Sequence, residues 1–258
     1  MNGEQADLDH QESNRLASVV MRAGLILLES GAEIYRVEET MNRICRSFPG
    51  VSQPEAFVIR TGVMFSFHAD DRIITRVVRV QHYDTDLAKV DEINTLSRRA
   101  DRMSLEQMEK ALDRIDRQKG YPWQVISLAG GICALGFGLM DGAGPADLAA
   151  VFVMGLMIWM MMRLLQKTSI NGLLATLISG FLCAWLPMVA RKFLYPALNV
   201  ETVVVAGIAL LVPGLAMTNS IRDTLSGDYL SGIAAGTEAF LVAIAIALGC
   251  LAAMVVGV

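Results

Sequence analysis

Residues 201–238, ETVVVAGIALLVPGLAMTNSIRDTLSGDYLSGIAAGTE, carry the strongest structural signal in the chain. Positions 202–221 hold no charge and are numerous enough to cross about 30 Å of hydrocarbon at roughly 1.5 Å per residue. Pro213 and Gly214 interrupt them, and a proline inside a helix removes a backbone donor and clashes with the preceding turn. Lipid tolerates such a break only where protein or water satisfies the freed carbonyls. We therefore predict a broken transmembrane helix.

Polar side chains follow the break. They are Thr218, Asn219, Arg222 and Asp223, and then Glu238 inside the next apolar segment. A broken helix beside ionisable residues at membrane depth is typical of a solute site in a transporter. Two interpretations stay open for each of these groups. Asn219 and Asp223 either bind solute or cap the helix end. Glu238 either carries a coupling proton or substrate contact, or it pairs with Arg222 or lies at the interface.

The distribution of charge divides the chain into two parts. Of the 258 residues 53% are hydrophobic, with a net charge of -4 and a mean hydropathy of +0.45. Nearly all the charge precedes Lys119, which predicts a soluble domain over 1–119 and a transmembrane domain over 120–258. No basic patch indicates nucleic acid, and the cysteine spacing implies neither a disulfide framework nor a zinc site. The N-terminus lacks the apolar core of a signal peptide.

Residues 1–119 mix helical and strand patterns, which predicts a small α+β domain. The expected elements are helices over 14–30 and 33–48, strands over 56–60, 63–68 and 72–80, and two further helices. A hairpin turn is predicted at Ala69, Asp70 and Asp71, and a capping box at Ser104 and Gln107 opens the last helix.

The second helix of this domain raises the question of an enzyme. Its polar residues Glu33, Arg36 and Glu38 are either acid/base groups or a solvated face with ion pairs such as Glu39 with Arg43. No metal-ligand spacing, phosphate-binding glycine loop or nucleophile motif accompanies them. The sequence predicts no cofactor and does not favour an enzyme. A membrane-anchored enzyme and a regulatory scaffold acting through this domain remain the alternatives to transport.

The transmembrane domain is expected to contain five spans, at about 121–140, 148–165, 169–190, 202–221 and 233–258. Arg114, Arg117 and Lys119 directly precede the first span, which predicts that the N-terminal domain lies in the cytoplasm. The loop 141–147 lacks Lys and Arg and suits the outside. A multi-pass protein of the lipid bilayer is expected.

Two long strings resemble the bacterial threonine/serine exporter family. They are LLESGAEIYRVEETMNRI at 27–44 and LLVPGLAMTNSIRDTLSGDYLSGI at 210–233, and the segments ITRVVRV at 74–80 and TDLAKVDEINTLSRR at 85–99 lie between them. By position, the residues that match the family pattern are Gly31, Glu33, Arg36, Glu38, Pro213, Gly214, Asn219 and Asp223.

The resemblance implies a function and a partner. Members export threonine and serine, or dicarboxylates such as succinate, and the family is regarded as driven by the proton motive force. Some members recruit a separate small membrane subunit that supplies the second transmembrane half. Five spans resemble the large subunit of that split form, which implies a hetero- or homo-oligomer in the bacterial cytoplasmic (inner) membrane.

Overall fold

The computed structural model describes residues 10–80, 82–168 and 170–257, apart from the side chains of His10 and Gln166. The predicted absence of a signal peptide rests on residues 1–14, of which residues 1–9 lie outside the described residues. The chain forms two compact units. The N-terminal unit comprises the chain up to Gly120 together with Thr218–Ala235, and the membrane unit comprises Tyr121–Met217 and Gly236–Val258.

The N-terminal unit has the predicted α+β composition. Its elements are α1 (His10–Glu29), α2 (Ile34–Arg46), β1 (Val51–Ile59), β2 (Gly62–Ala69), β3 (Arg72–Arg79), α3 (Leu87–Ser97), a 3-10 turn (Ala100–Arg102) and α4 (Leu105–Asp116). The capping box of Ser104 and Gln107 opens α4 as expected. The ion pair of Glu39 with Arg43 on α2 is also present.

The three strands form an antiparallel sheet in the order β1-β2-β3. The predicted turn joins β2 to β3 but has two residues, Asp70 and Asp71, because Ala69 still belongs to β2, and Asp70 adopts a φ of 54° there. The prediction for β1 was too short, because the strand starts at Val51 and runs through Pro54. A bulge between Ser52 and Glu55 accommodates that proline, as is usual on an edge strand.

The core of the N-terminal unit lies between the helices and the inner face of the sheet. Its largest fully buried side chains include Leu16, Leu27, Met41, Ile44, Phe65, Phe67, Ile93, Met108 and Leu112. Ion pairs tie α1 to α4, where Arg15 meets Glu109 and Arg22 meets Asp113 and Asp116. These pairs are partly exposed, so burial of the apolar side chains dominates the stability of the unit.

A tight turn separates α1 from α2. The Ala32 N–H donates to the Leu27 carbonyl, and the Gly31 N–H donates to the Leu28 carbonyl, at 3.1 and 3.2 Å. This is the Schellman pattern, which requires a left-handed residue just past the helix end. Gly31 supplies it with a φ of 87°, a conformation that costs glycine little.

The helices of the membrane part are α5 (Trp123–Met140), α6 (Pro145–Lys167), α7 (Gly172–Phe193), α8 (Val200–Leu211), α9 (Gly214–Leu225) and α10 (Tyr229–Val256). In the described residues, four helices are long and apolar enough to cross a membrane, and five spans result if α8 and α9 count as one. The α8–α9 pair is bent by 50°. The predicted break is therefore present. The helices α9 and α10 contribute residues to both units.

Glycines allow the membrane helices to pack closely. A Cβ on Gly249 of α10 would lie 2.2 Å from the Leu177 carbonyl oxygen of α7, and one on Gly155 of α6 would lie 2.7 Å from the Gly130 carbonyl oxygen of α5. Such contacts require small residues, because helix association in lipid depends on close van der Waals packing.

Candidate functional site

The break between α8 and α9 leaves helical hydrogen bonds unmade in the membrane unit. In a continuous helix the Ala209 carbonyl would receive the N–H of residue 213, which is a proline and has none. The Gly214 N–H donates instead to the Val212 carbonyl at 2.8 Å. Helical bonding resumes when the Met217 N–H donates to Pro213 at 3.0 Å. The end of α8 and the first turn of α9 therefore present backbone dipoles, as in transporters with broken helices.

A cavity of about 510 Å³ lies beside the end of α8 within the membrane unit. Its lining includes Ala209 and Leu210 of α8 and the aromatic side chains of Phe137 and Trp159. The lining is mostly apolar. The side chains that line this cavity therefore offer few polar groups to a solute.

The polar end of α9 belongs to the N-terminal unit and contacts the α1–α2 turn. The Asn219 amide donates to the Gly31 carbonyl at 3.0 Å, and Asp223 Oδ1 accepts from the Ile34 N–H at 3.3 Å. Asn219 and Asp223 are both buried. We call these bonds, together with the ion pair of Arg222 and Glu33, the α9–loop contact.

Asp223 caps a helix that lies 189 residues away in the chain. The first N–H groups of any α-helix lack partners within that helix, and a carboxylate there is favoured by the helix dipole. Glu33 holds the N-cap position of α2, yet its side chain makes no cap hydrogen bond. Asp223 therefore caps α2 in place of Glu33, because its carboxylate accepts a hydrogen bond from the first N–H of that helix.

Glu33 is instead held between two arginines. Its carboxylate pairs with Arg36 of α2 at 3.1 Å and with Arg222 of α9. The Glu33 side chain is only 13% exposed, whereas that of Arg222 is 48% exposed. Both arginines stay partly exposed, so solvent screening limits what these pairs contribute to stability. Glu33 and Arg36 of the predicted motif thus meet Arg222 of α9 in one cluster.

Glu38 makes a different contact. Its Oε1 accepts from the Val58 N–H of β1 at 2.9 Å. Burial raises the pKa of Glu38, the Val58 bond partly offsets that rise, and Asp228 adds to it. Glu38 thus ties α2 to the sheet, and its role is separate from the α9–loop contact.

The turn from α9 to α10 packs tightly within the N-terminal unit. Ser220 Oγ donates to the Gly232 carbonyl at 2.7 Å, and the Asp228 N–H donates to the Asp223 carbonyl at 2.9 Å. A Cβ on Gly232 would lie 2.2 Å from Thr224 Oγ1. These bonds fix the direction in which the end of α9 presents Asn219 and Asp223.

The predicted site residues are thus divided between the N-terminal unit and the membrane unit. Thr218 is in the N-terminal unit with the α9–loop contact, whereas Pro213, Gly214 and Glu238 are in the membrane unit. Arg222, for which a pairing with Glu238 was one alternative, meets Glu33. Sequence reasoning missed two contact groups, the Gly31 carbonyl and the Ile34 N–H. Both are backbone atoms, which no side-chain pattern reports.

Comparison with known proteins gives matches along nearly the whole chain. The family model described as "Putative threonine/serine exporter" (ThrE) matches residues 18–257. A Klebsiella aerogenes protein named "Probable succinate transporter subunit YjjP" is 25% identical over 255 residues, covering 95% of each chain. Its Escherichia coli (strain K12) namesake is 24% identical over 256 residues, covering 95% of this chain and 96% of its own. No solved structure matches the chain significantly.

Proposed function

Because the chain belongs to the threonine/serine exporter family, we propose that it is one subunit of a secondary exporter of small hydrophilic carboxylates. Two relatives, matched over nearly their full length, are named succinate transporter subunits, which favours a dicarboxylate such as succinate. The family description favours threonine or serine. All three solutes carry a carboxylate, so one kind of site serves them.

The bend of 50° between α8 and α9 is the observation that carries this proposal. The first turn of α9 offers backbone N–H groups at the positive end of a helix of 12 residues. Helix N-termini bind carboxylates and phosphates for this reason, and half-helices at mid-membrane do so in transporters. We place the solute carboxylate at the break formed by Pro213 and Gly214, next to the N–H groups of the first turn of α9.

We assign the coupling proton to Glu238. A carboxylate within a membrane helix is energetically costly, so one that is present there usually has a function. Glu238 lies among apolar residues of α10. Protonation removes its charge, so a proton taken up there lowers the cost of moving α10. Export driven by the proton motive force follows from that assignment.

Asn219, Arg222 and Asp223 then contribute to transport by positioning α9. Their side chains bond the turn between α1 and α2, which fixes the polar end of the helix. In this proposal the N-terminal unit lies in the cytoplasm, since Arg114, Arg117 and Lys119 precede the first span. The chain works in the cytoplasmic (inner) membrane of a bacterium, with a small membrane subunit that supplies further helices.

The test is efflux of labelled succinate, threonine and serine from cells, with and without a candidate small membrane subunit. Glu238→Gln is expected to abolish proton-coupled efflux while the protein still reaches the membrane. Glu201→Gln is the matched control, because that carboxylate is exposed at the start of α8. Wild-type efflux from Glu238→Gln would contradict the proton assignment. Failure to export any of the three solutes, with both subunits in the membrane, would contradict the substrate class.

A further inference from the structure

The outer face of the sheet in the N-terminal unit carries exposed apolar side chains. On β3, Ile73 is 64% exposed and Val77 is 66% exposed. Val77 pairs with Met64 of β2, which pairs with Phe57 of β1, and both of these side chains are also exposed. A contiguous apolar row of this kind is typical of an interaction surface.

The two edges of this sheet differ in their capacity to pair with another strand. The β1 edge contains Pro54, which has no N–H, and a bulge at Ser52 and Glu55. Gln53 within it has a φ of 49°. Such features block edge pairing, whereas the eight residues of β3 contain no proline and pair with β2 without a bulge. Any added strand is therefore expected beside β3.

The β2–β3 hairpin determines which backbone groups of β3 face that open edge. Ala69 pairs with Arg72 around a two-residue turn. The pair that closes such a turn is hydrogen-bonded, and in an antiparallel ladder bonded and non-bonded pairs alternate. Arg72 and every second residue after it therefore bond to β2. The groups directed outward are those of Ile73, Thr75 and Val77.

We propose that β3 pairs antiparallel with β3 of a second copy of this chain, centred on Thr75, to form a continuous six-stranded sheet. In this register Thr75 faces its own equivalent, and Ile73 faces Val77 of the second copy. Asp71, in the hairpin turn directly before β3, then comes opposite Arg79 of the second copy, and the two-fold symmetry forms this charge pair twice. The outward N–H and C=O groups of β3 then bond each other, and the apolar row continues across the interface.

Charge distinguishes this register from its neighbours. A pairing centred on Arg76 places that arginine against its own equivalent. One centred on Ile74 places Arg72 against Arg76. Like charges directly opposite each other destabilise a strand pair, and opposite charges stabilise it. Of these three registers, the one centred on Thr75 sets opposite charges against each other.

Cysteine cross-linking of the full-length protein in native membranes tests the register, with Cys133→Ser as background because that native cysteine is exposed. In the proposed register the Thr75 Cα atoms lie about 5.5 Å apart, within disulfide reach. Thr75→Cys is therefore expected to yield covalent dimers. Ile73→Cys alone is the matched control and should not, since its equivalents lie about 14 Å apart. Ile73→Cys co-expressed with Val77→Cys should cross-link the two variants to each other.

A charge swap tests the interface independently. In the Thr75→Cys background, Arg79→Asp is expected to lower the dimer yield about tenfold, and Asp71→Arg combined with Arg79→Asp should restore it. Both positions are exposed, so neither change disturbs the core. Equal cross-linking at residues 73 and 75, no cross-link at Thr75→Cys, no restoration by the swap, or capture of a different protein would each overturn the proposal.

Discussion

Removal of the Asp223 side chain tests whether α9 caps α2 across 189 residues of sequence. The Asp223→Ala variant leaves the Ile34 N–H buried without its acceptor. Loss of an N-cap acceptor costs about 0.5–2 kcal/mol, and a buried donor left unsatisfied costs about 1–3 kcal/mol. A central value near 1.5 kcal/mol raises the opening constant of the α9–loop contact roughly tenfold.

The matched variant is Asp223→Asn, which keeps an acceptor oxygen and loses only the charge. Asparagine caps helices about as well as aspartate does, so we expect only the charge–dipole share, about 0.3–1 kcal/mol, to be lost. Adding Asn219→Ala to Asp223→Ala removes a further hydrogen bond of about 1 kcal/mol. Arg222 is half-exposed, so its pair with Glu33 adds about 0.5 kcal/mol or less.

Hydrogen exchange with mass spectrometry on the full-length protein in lipid measures these openings. Exchange in a peptide over residues 31–38 should rise about tenfold in Asp223→Ala and much less in Asp223→Asn. Asp141→Ala is the control, since that exposed aspartate lies at the far end of α5. Unchanged exchange in Asp223→Ala, or equal exchange in the alanine and asparagine variants, would refute the assignment of Asp223 as the cap of α2.

Three further predictions concern single groups. Because burial raises the pKa of Glu38, the stability of the N-terminal unit should fall as pH rises from about 4.3 through that raised pKa. Glu38→Gln, which keeps the acceptor for Val58, should flatten that dependence in urea unfolding curves. Burial raises the pKa of Cys45 to about 12, so maleimide should label it only after unfolding. Gly249→Val should lower the thermal stability of the protein in detergent, whereas Gly136→Val should not, because nothing lies within 4 Å of a Cβ at Gly136.

Local patterns predicted the elements well where the determining residues are close in sequence. The hairpin turn at Asp70, the capping box at Ser104 and the break at Pro213 each depend on two to four adjacent residues, and all three are present. The start of β1 was missed because Pro54 disfavours a strand, and only the bulge beside it makes one possible.

The α9–loop contact shows where such reasoning ends. All of its residues except Ile34 were named from the sequence, yet the pairs that they form were not predicted, because 188 or 189 residues separate the bonded groups. One partner of each of its two hydrogen bonds is a backbone atom, which any residue provides. The sequence pattern shows that Asp223 is a charged residue beside an apolar segment. Only the folded structure shows that its carboxylate caps α2.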